Sequence, residues 1–198
     1  MPQLTQKEQL YLQDAQKHEE LCIAKFNHYS QSVSCQQLKQ VLQWVGQQET
    51  THLQSVQQML QGQIPQTGSS QGSQQGGQVT GQQGTQTQGQ SGSGQSPSIN
   101  QILSQIQSSV SQQSSNQQMQ AGTASQTQFT GQGQLSDQQI CNDIITTEKA
   151  VNDFYGHCIT ETSNQQLRQV LNHIQKEEQD HAFAVYKYME QKGWYQAQ

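Results

Sequence analysis

The sequence predicts an all-α fold, a four-helix bundle made of two duplicated helical hairpins that are joined by a long disordered linker. Three observations lead to this prediction. Apolar residues recur at alternating steps of three and four in four segments, which is the spacing of one helix face. The four segments form two similar halves that are 129 positions apart. Between the halves, residues 63–134 are rich in Gln, Gly and Ser and carry no charged residue.

The similarity of the two halves is an internal repeat. Adding 129 to a residue number in the first half gives the matching residue in the second half, without an insertion or a deletion. The matched pairs are Asp14 and Asp143, Glu19 and Glu148, His28 and His157, Leu38 and Leu167, Glu49 and Glu178, His52 and His181, and Val56 and Val185. We therefore interpret the halves as copies of one helical unit.

The first hairpin is predicted over residues 4–62 and the second over residues 135–195. The helix faces of the first copy are Leu12, Ala15, Glu19, Cys22, Phe26, Tyr29 and Val33, then Leu38, Leu42, Val45, Glu49, His52, Val56 and Met59. Those of the second copy are Cys141, Ile144, Glu148, Val151, Tyr155 and Cys158, then Leu167, Leu171, Ile174, Glu178, His181, Val185 and Tyr188. Turns are expected near Val33 and Thr162, so each pair of helices should lie antiparallel.

The disordered linker is predicted over residues 63–134, because so few apolar residues cannot offset the entropy lost on ordering. A flexible chain of this length spans about 45 Å on average. The two hairpins can therefore pair within one chain or between chains. Within the linker, five residues share a helical face, which allows a short amphipathic helix over residues 98–112 or a helix that forms only transiently. These residues are Ile99, Ile102, Leu103, Ile106 and Val110.

Six residues on the apolar faces have the chemistry of a metal site. They are Glu19, Glu49, His52, Glu148, Glu178 and His181. Counting from the turns places the two glutamates of each hairpin within about 3 Å of the same height. Four buried carboxylates at one height are costly unless cations neutralise them. Two Glu-x-x-His motifs with two further glutamates form the ligand set of a two-metal site in a helical bundle, so we predict two bound ions, iron or alternatively manganese.

Alternatives to this ligand set were also visible in the sequence. A single Glu and His pair at this spacing is commonly surface decoration, and only the repetition argues otherwise. Glu20 and Glu177 would replace their neighbours as ligands if the helical register were shifted by one, but both are expected to face water, as is Asp180. Asp14 and Asp143 are either partners of the metal-binding histidines or solvated helix residues.

Composition excludes several classes of protein. The net charge of −5 and the lack of a basic patch argue against nucleic acid as a partner. No apolar run reaches 18 residues, and the first residues have no apolar core, so we expect neither a membrane span nor a signal peptide. Synthesis in a cytoplasm follows from this expectation. The four cysteines are expected to be free thiols, with Cys35 exposed in the first turn.

The second copy resembles the Coat F domain family of bacterial spore coat proteins. The resemblance rests on Leu135-Ser136-Asp137, Glu148-Lys149, the turn Glu161-Thr162-Ser163-Asn164, and the closing Lys192-Gly193-Trp194-Tyr195, and the first copy is similar but looser. It implies a ferritin-like fold and a place in the coat that is assembled around the spore from the mother-cell cytoplasm. Other spore coat proteins, and further copies of the chain, are the implied partners.

Two functions remain open at this stage. The first is a structural coat component that retains a di-metal carboxylate site. The second is a peroxidase, catalase or ferroxidase, because the six candidate ligands match position by position the iron ligands of ferritin-like rubrerythrins and bacterioferritins. The chain has no Cys-x-x-Cys pair for the mononuclear iron centre of rubrerythrins. In the enzyme reading, Tyr29 and Tyr155, expected two to three turns from the site, could transfer an electron.

Overall fold

A computed structural model describes residues 4–66, 97–113 and 135–195. These residues form five α-helices and no strand, which confirms the predicted all-α class. The helices are α1 (Gln6–Ser32), α2 (Gln36–Leu60), α3 (Ile99–Gln113), α4 (Asp137–Glu161) and α5 (Gln165–Gln191). Most of the predicted linker, residues 67–96 and 114–134, lies outside the described residues. Among the helices just given, none is both long and apolar enough to cross a lipid bilayer.

Local sequence signals set the ends of the long helices. Thr5 before α1 and Ser136 before α4 each form a capping box with the residue three positions later, which satisfies backbone N–H groups of the first turn. Asn164 accepts two backbone hydrogen bonds at the start of α5. Gly62 (φ 74°) follows α2 and Gly193 (φ 70°) follows α5, where the left-handed conformation that ends a helix favours glycine.

The four long helices pack around one apolar core. Helix α1 lies against α2 and α4 against α5, and the two hairpins meet through contacts of α2 with α5 and of α1 with α4. The largest fully buried side chains come from all four helices. They include Phe26, Leu38, Leu42, Met59, Ile140, Ile144, Tyr155, Leu167, Ile174, Tyr188 and Met189. Burial of these side chains from both hairpins is the main stabilising contribution, at roughly 1.5 to 3 kcal/mol for each large apolar side chain.

One carboxylate from each hairpin binds the turn of the other hairpin. Glu8 Oε1, on α1, accepts hydrogen bonds from the turn between α4 and α5, namely from Ser163 N (2.9 Å), Ser163 Oγ (3.0 Å) and Asn164 N (3.3 Å). Asp137, on α4, accepts hydrogen bonds from the turn between α1 and α2, namely from Ser34 N (3.0 Å), Ser34 Oγ (2.9 Å) and Cys35 N (3.1 Å). These two contacts, called the turn clasps below, join residues that match under the 129-residue offset.

Helix α3 docks against the outside of the hairpins. Ile102 and Ile106 are each only 3% exposed, and the backbone oxygen of Ile106 accepts hydrogen bonds from the side chains of Gln37 (3.1 Å) and Gln191 (2.7 Å). Just before α3, the Trp44 indole N–H donates to the backbone oxygen of Pro97 at 2.6 Å. Trp44 is only 6% exposed.

Candidate metal centre

All six candidate ligands lie together in the centre of the core. Each of the four long helices supplies at least one, and their exposed fractions are 0 to 1%. In an ordinary helical core, positions this deeply buried hold apolar side chains. The six residues are Glu19 on α1, Glu49 and His52 on α2, Glu148 on α4, and Glu178 and His181 on α5.

Around His52, three carboxylates converge on one ring nitrogen. His52 Nδ1 lies 3.0 Å from Glu178 Oε1, 3.6 Å from Glu49 Oε2 and 3.8 Å from Glu19 Oε2. One of these carboxylates comes from its own helix, one from the other helix of its hairpin, and one from the other hairpin. We call Glu19 and His52 the first half-site.

The surroundings of His181 follow the same plan. His181 Nδ1 lies 3.0 Å from Glu49 Oε1, 3.6 Å from Glu178 Oε2 and 4.0 Å from Glu148 Oε2. We call Glu148 and His181 the second half-site. Glu49 and Glu178 face both half-sites, and the two imidazole rings stack with their centroids 5.4 Å apart. Ligand atoms of the two Glu-x-x-His motifs lie within 4.8 Å of one another, so this group could hold a metal ion.

Most polar atoms of the cluster have no hydrogen-bond partner. Buried polar atoms in folded proteins are nearly always hydrogen-bonded, because each unpaired one costs about 1 to 3 kcal/mol. The unpaired atoms here are Glu19 Oε2, both carboxylate oxygens of Glu49 and of Glu148, Glu178 Oε2, and both ring nitrogens of His181. A cation site requires oxygen and nitrogen atoms that surround one small volume and are free to bind the ion. The residues present therefore fit metal ions.

The electrostatics of the glutamates show the cost of this arrangement. Burial, then the charges of Glu49 and Glu178, raise the pKa of Glu19 and of Glu148 well above the ordinary value. Burial acts in the same direction on Glu49 and Glu178, but the nearby histidines outweigh it and lower the pKa of both. The cluster therefore binds protons in place of four full negative charges. Metal ions would have to displace those protons.

The histidines carry the compensating positive charge. Burial by itself would lower the pKa of both rings, yet Glu177 and Glu178 raise the pKa of His52 well above its usual range. The negative charge of Glu49, together with the closeness of the Glu49 and Glu178 carboxylates to Nδ1, raises the pKa of His181 to about 9. Both imidazoles are therefore protonated near neutral pH when no cation is present, and each faces the carboxylates with the nitrogen that would bind a metal.

Two contacts of the cluster were not expected from the sequence. Glu177, expected to face water, is partly buried, and its Oε2 lies 2.9 Å from His52 Nε2. Tyr155, expected two to three turns away, donates a hydrogen bond from its hydroxyl to Glu19 Oε1. Burial and the charge of Glu19 raise the pKa of that hydroxyl. Tyr29 lies elsewhere and donates to Asp143 Oδ2 at 2.8 Å.

Several other expectations about surrounding residues can be compared with the structure. Asp143 was a candidate partner of a histidine, but it pairs instead with Lys25 Nζ at 2.7 Å, and Asp14 is exposed. Glu20 is exposed and bonded to its helical neighbours, as expected. The four cysteines are free thiols, and Cys35 is partly buried rather than exposed.

Comparison with known families adds one result. Residues 136–198 match the family model of the Coat F domain, which supports the predicted relation to the Coat F family of spore coat proteins. The matched range contains α4 and α5 and therefore half of the candidate metal centre. No curated protein and no solved structure matches the chain at a significant level.

Proposed function

We propose that this chain is a structural component of the bacterial spore coat, built on a ferritin-like four-helix bundle of two duplicated hairpins that holds two metal ions. The Coat F match over residues 136–198 is the observation that carries the coat role. The domain division that belongs to this proposal is a first hairpin at residues 4–62, a linker at 63–134 and a second hairpin at 135–195. Synthesis in the mother-cell cytoplasm is part of the same proposal.

The metal part of the proposal rests on the buried, unpaired carboxylates. Glu19 and His52 would hold one ion and Glu148 and His181 the other, with Glu49 and Glu178 placed to serve both. Iron or manganese suits such a set of carboxylates and imidazoles. An ion of this kind would supply Lewis-acid and redox chemistry toward peroxide or dioxygen.

The chain itself provides orientation and exclusion of water. Glu177 fixes the His52 ring from outside, and Tyr155 fixes one oxygen of Glu19. Near-complete burial of all six candidate ligands keeps bulk water away from the cluster. The turn clasps hold the two hairpins at one height, so the carboxylates of both copies stay together.

The partners proposed for this function are other spore coat proteins and further copies of the chain. Its test is the location of the protein in sporulating cells. An antibody against the chain should detect it in coat extracts of purified endospores and not in the spore core. Detection only in vegetative cells, or only in the core, would refute the coat role.

The metal proposal has its own test. Protein purified from cells supplied with iron and manganese should contain about two ions per chain, matching the two half-sites. The Glu49→Ala, Glu178→Ala double variant should contain none while its helical circular dichroism is retained. An equal metal content in parent and variant would refute the assignment of these residues.

A second candidate function is a di-iron or di-manganese peroxidase, catalase or ferroxidase. The observation that favours it is the Tyr155 hydroxyl bonded to Glu19, because an oxidisable aromatic ring then lies beside the proposed ions. Metal-loaded protein would consume hydrogen peroxide or oxidise ferrous iron over many turnovers, and Tyr155→Phe would slow it. If metal-loaded protein turns over neither peroxide nor ferrous iron, the enzymatic function is refuted and only the structural role remains.

A further inference from the structure

The two half-sites have matching ligands but different supports. Under the 129-residue offset, Glu19 corresponds to Glu148 and His52 to His181, so the ligands themselves do not distinguish the two. The residues that contact these ligands from outside do differ. Three matched positions show this, and each favours the first half-site.

The first difference is the partner of the histidine. His52 Nε2 lies 2.9 Å from Glu177 Oε2, whereas His181 Nε2 is buried without a hydrogen-bond partner. The residue that matches Glu177 in the first copy is Gln48, and it makes no hydrogen bond to His181. A carboxylate on the outer nitrogen of a metal-binding histidine fixes the ring and makes the inner nitrogen more basic. Only the first half-site has this support.

The second difference is the partner of the terminal glutamate. Tyr155 donates its hydroxyl hydrogen to Glu19 Oε1. The residue that matches Tyr155 in the first copy is Phe26, which has no hydroxyl, and both carboxylate oxygens of Glu148 lack a hydrogen bond. Glu19 is therefore held in one orientation, while Glu148 is held only by packing.

The third difference is what lies beyond each histidine. On the first side, His173 Nε2 lies 3.4 Å from Glu177 Oε2, and its side chain is 40% exposed, so a polar chain leads outward. On the second side, the matching residue is Trp44, whose ring meets His181 edge-on with centroids 5.5 Å apart. Trp44 is fixed there by Pro97. An apolar wall therefore replaces the polar partner of the first side.

We infer that the two half-sites bind divalent metal unequally, with a tight ion at Glu19 and His52 and a weaker, exchangeable ion at Glu148 and His181. This inference rests on the proposed function, because it assumes that the cluster binds metal. Glu177 and Tyr155 are positioning residues here, since they act on the metal only through His52 and Glu19. Gln48 and Phe26 are the reason why the second half-site lacks the same support.

The test is a titration of metal-free, full-length protein with Mn(II). Binding is monitored by calorimetry and by the electron paramagnetic resonance signal of free Mn(II). The parent protein should show two binding steps with dissociation constants further apart than those of identical sites. Glu177→Ala should weaken the tight step by about 10- to 100-fold and leave the weak step unchanged. Glu177→Gln keeps a hydrogen-bond acceptor, so its affinity in the tight step should lie between those of Glu177→Ala and the parent protein.

Three further variants separate this effect from a general loss of structure. Tyr155→Phe keeps the ring and should also weaken only the tight step. Gln48→Glu supplies the missing carboxylate and should strengthen only the weak step. Glu20→Ala removes an exposed glutamate that, like Glu177, adjoins a ligand in sequence, and it should change neither step.

The outcomes distinguish this inference from the proposed function. Two steps of equal affinity in the parent, or a Glu177→Ala variant that weakens both steps alike or neither, would overturn the inequality while leaving the metal site in place. A parent protein that binds no Mn(II) would overturn the metal site itself, and this inference with it.

Discussion

Replacing Glu8 by glutamine should destabilise the protein, because Glu8 is a buried carboxylate with five hydrogen bonds from neighbouring donors. Its Oε2 accepts from Thr5 N at 2.8 Å and from Thr5 Oγ1 at 2.9 Å. Its Oε1 accepts the three bonds from Ser163 and Asn164 that form one turn clasp. Glutamine keeps one accepting oxygen and replaces the other with an NH₂ group, so two or three of these donors lose their partner.

The magnitude follows from the pKa of this carboxyl group. Burial by itself would raise the pKa of Glu8, but its hydrogen bonds to Thr5, Ser163 and Asn164 outweigh burial and lower it from 4.5 to about 2. A shift of about 2.5 units corresponds to about 3 kcal/mol in favour of the folded state at neutral pH. For a domain whose total stability is about 5 to 15 kcal/mol, this is a large share.

The pH dependence provides a second check on the same reasoning. Because the folded-state pKa is lowered, the stabilisation is present above pH 4.5 and is lost as the pH falls toward 2. Between pH 5 and pH 3 the difference between the parent and Glu8→Gln should shrink by about 2 kcal/mol. Urea unfolding followed by circular dichroism, at both pH values, measures this difference, and Glu20→Gln on the exposed side of α1 is the control.

Two results would refute the argument. A Glu8→Gln variant that unfolds within about 0.5 kcal/mol of the parent at pH 7 would resemble an ordinary surface substitution. A loss that is the same at pH 5 and pH 3 would mean that the charge of Glu8 is not its source.

Two further predictions concern the other clasp and the buried glutamates. Asp137→Asn should lower the free energy of unfolding by about 1 to 3 kcal/mol, because its carboxylate accepts three hydrogen bonds from the first turn; urea unfolding without any loss would contradict this. The Glu19→Gln, Glu148→Gln double variant should make metal-free protein more stable at pH 7 while losing metal, because glutamine needs neither to bind a proton nor to carry a buried charge there. Because the pKa of both glutamates is raised in the folded state, their contribution to folding stability is intact below pH 4.5 and is lost as the pH rises. The extra stability of the variant should therefore be absent at pH 4. Equal thermal stability of parent and variant at pH 7 would disprove it.

The helical class and the meeting of the six candidate ligands could be anticipated from the sequence. Spacing of three and four residues assigns a side chain to a helix face, and counting from a turn assigns its height. Face and height were enough to predict that Glu19 lies near Glu49, and Glu148 near Glu178. In the structure each pair lies buried beside one histidine. The apolar spacing at Ile99, Ile102 and Ile106 allowed a helix over residues 98–112, and the structure has α3 at Ile99–Gln113.

The supports of the cluster could not be anticipated in the same way. Glu177 adjoins a ligand and has Gln48 as its counterpart, so the repeat gave no reason to select it. Its contact with His52 joins residues 125 positions apart and depends on how the two hairpins are rotated against each other. The same is true of Tyr155 and Glu19, 136 positions apart. Face and height do not determine that rotation.

The clasps and the metal centre depend on the same register between the hairpins. Glu8 precedes Glu19 by eleven residues, and Asp137 precedes Glu148 by eleven, so each clasp lies about 16 Å along its helix from a ligand. A slip of one helical turn would move a carboxylate by about 5.4 Å, which exceeds every distance from a ligand carboxylate to a histidine Nδ1 described above. The clasps fix the height at both ends of the helix pairs, so the costly cluster between them stays assembled without contributing to stability itself.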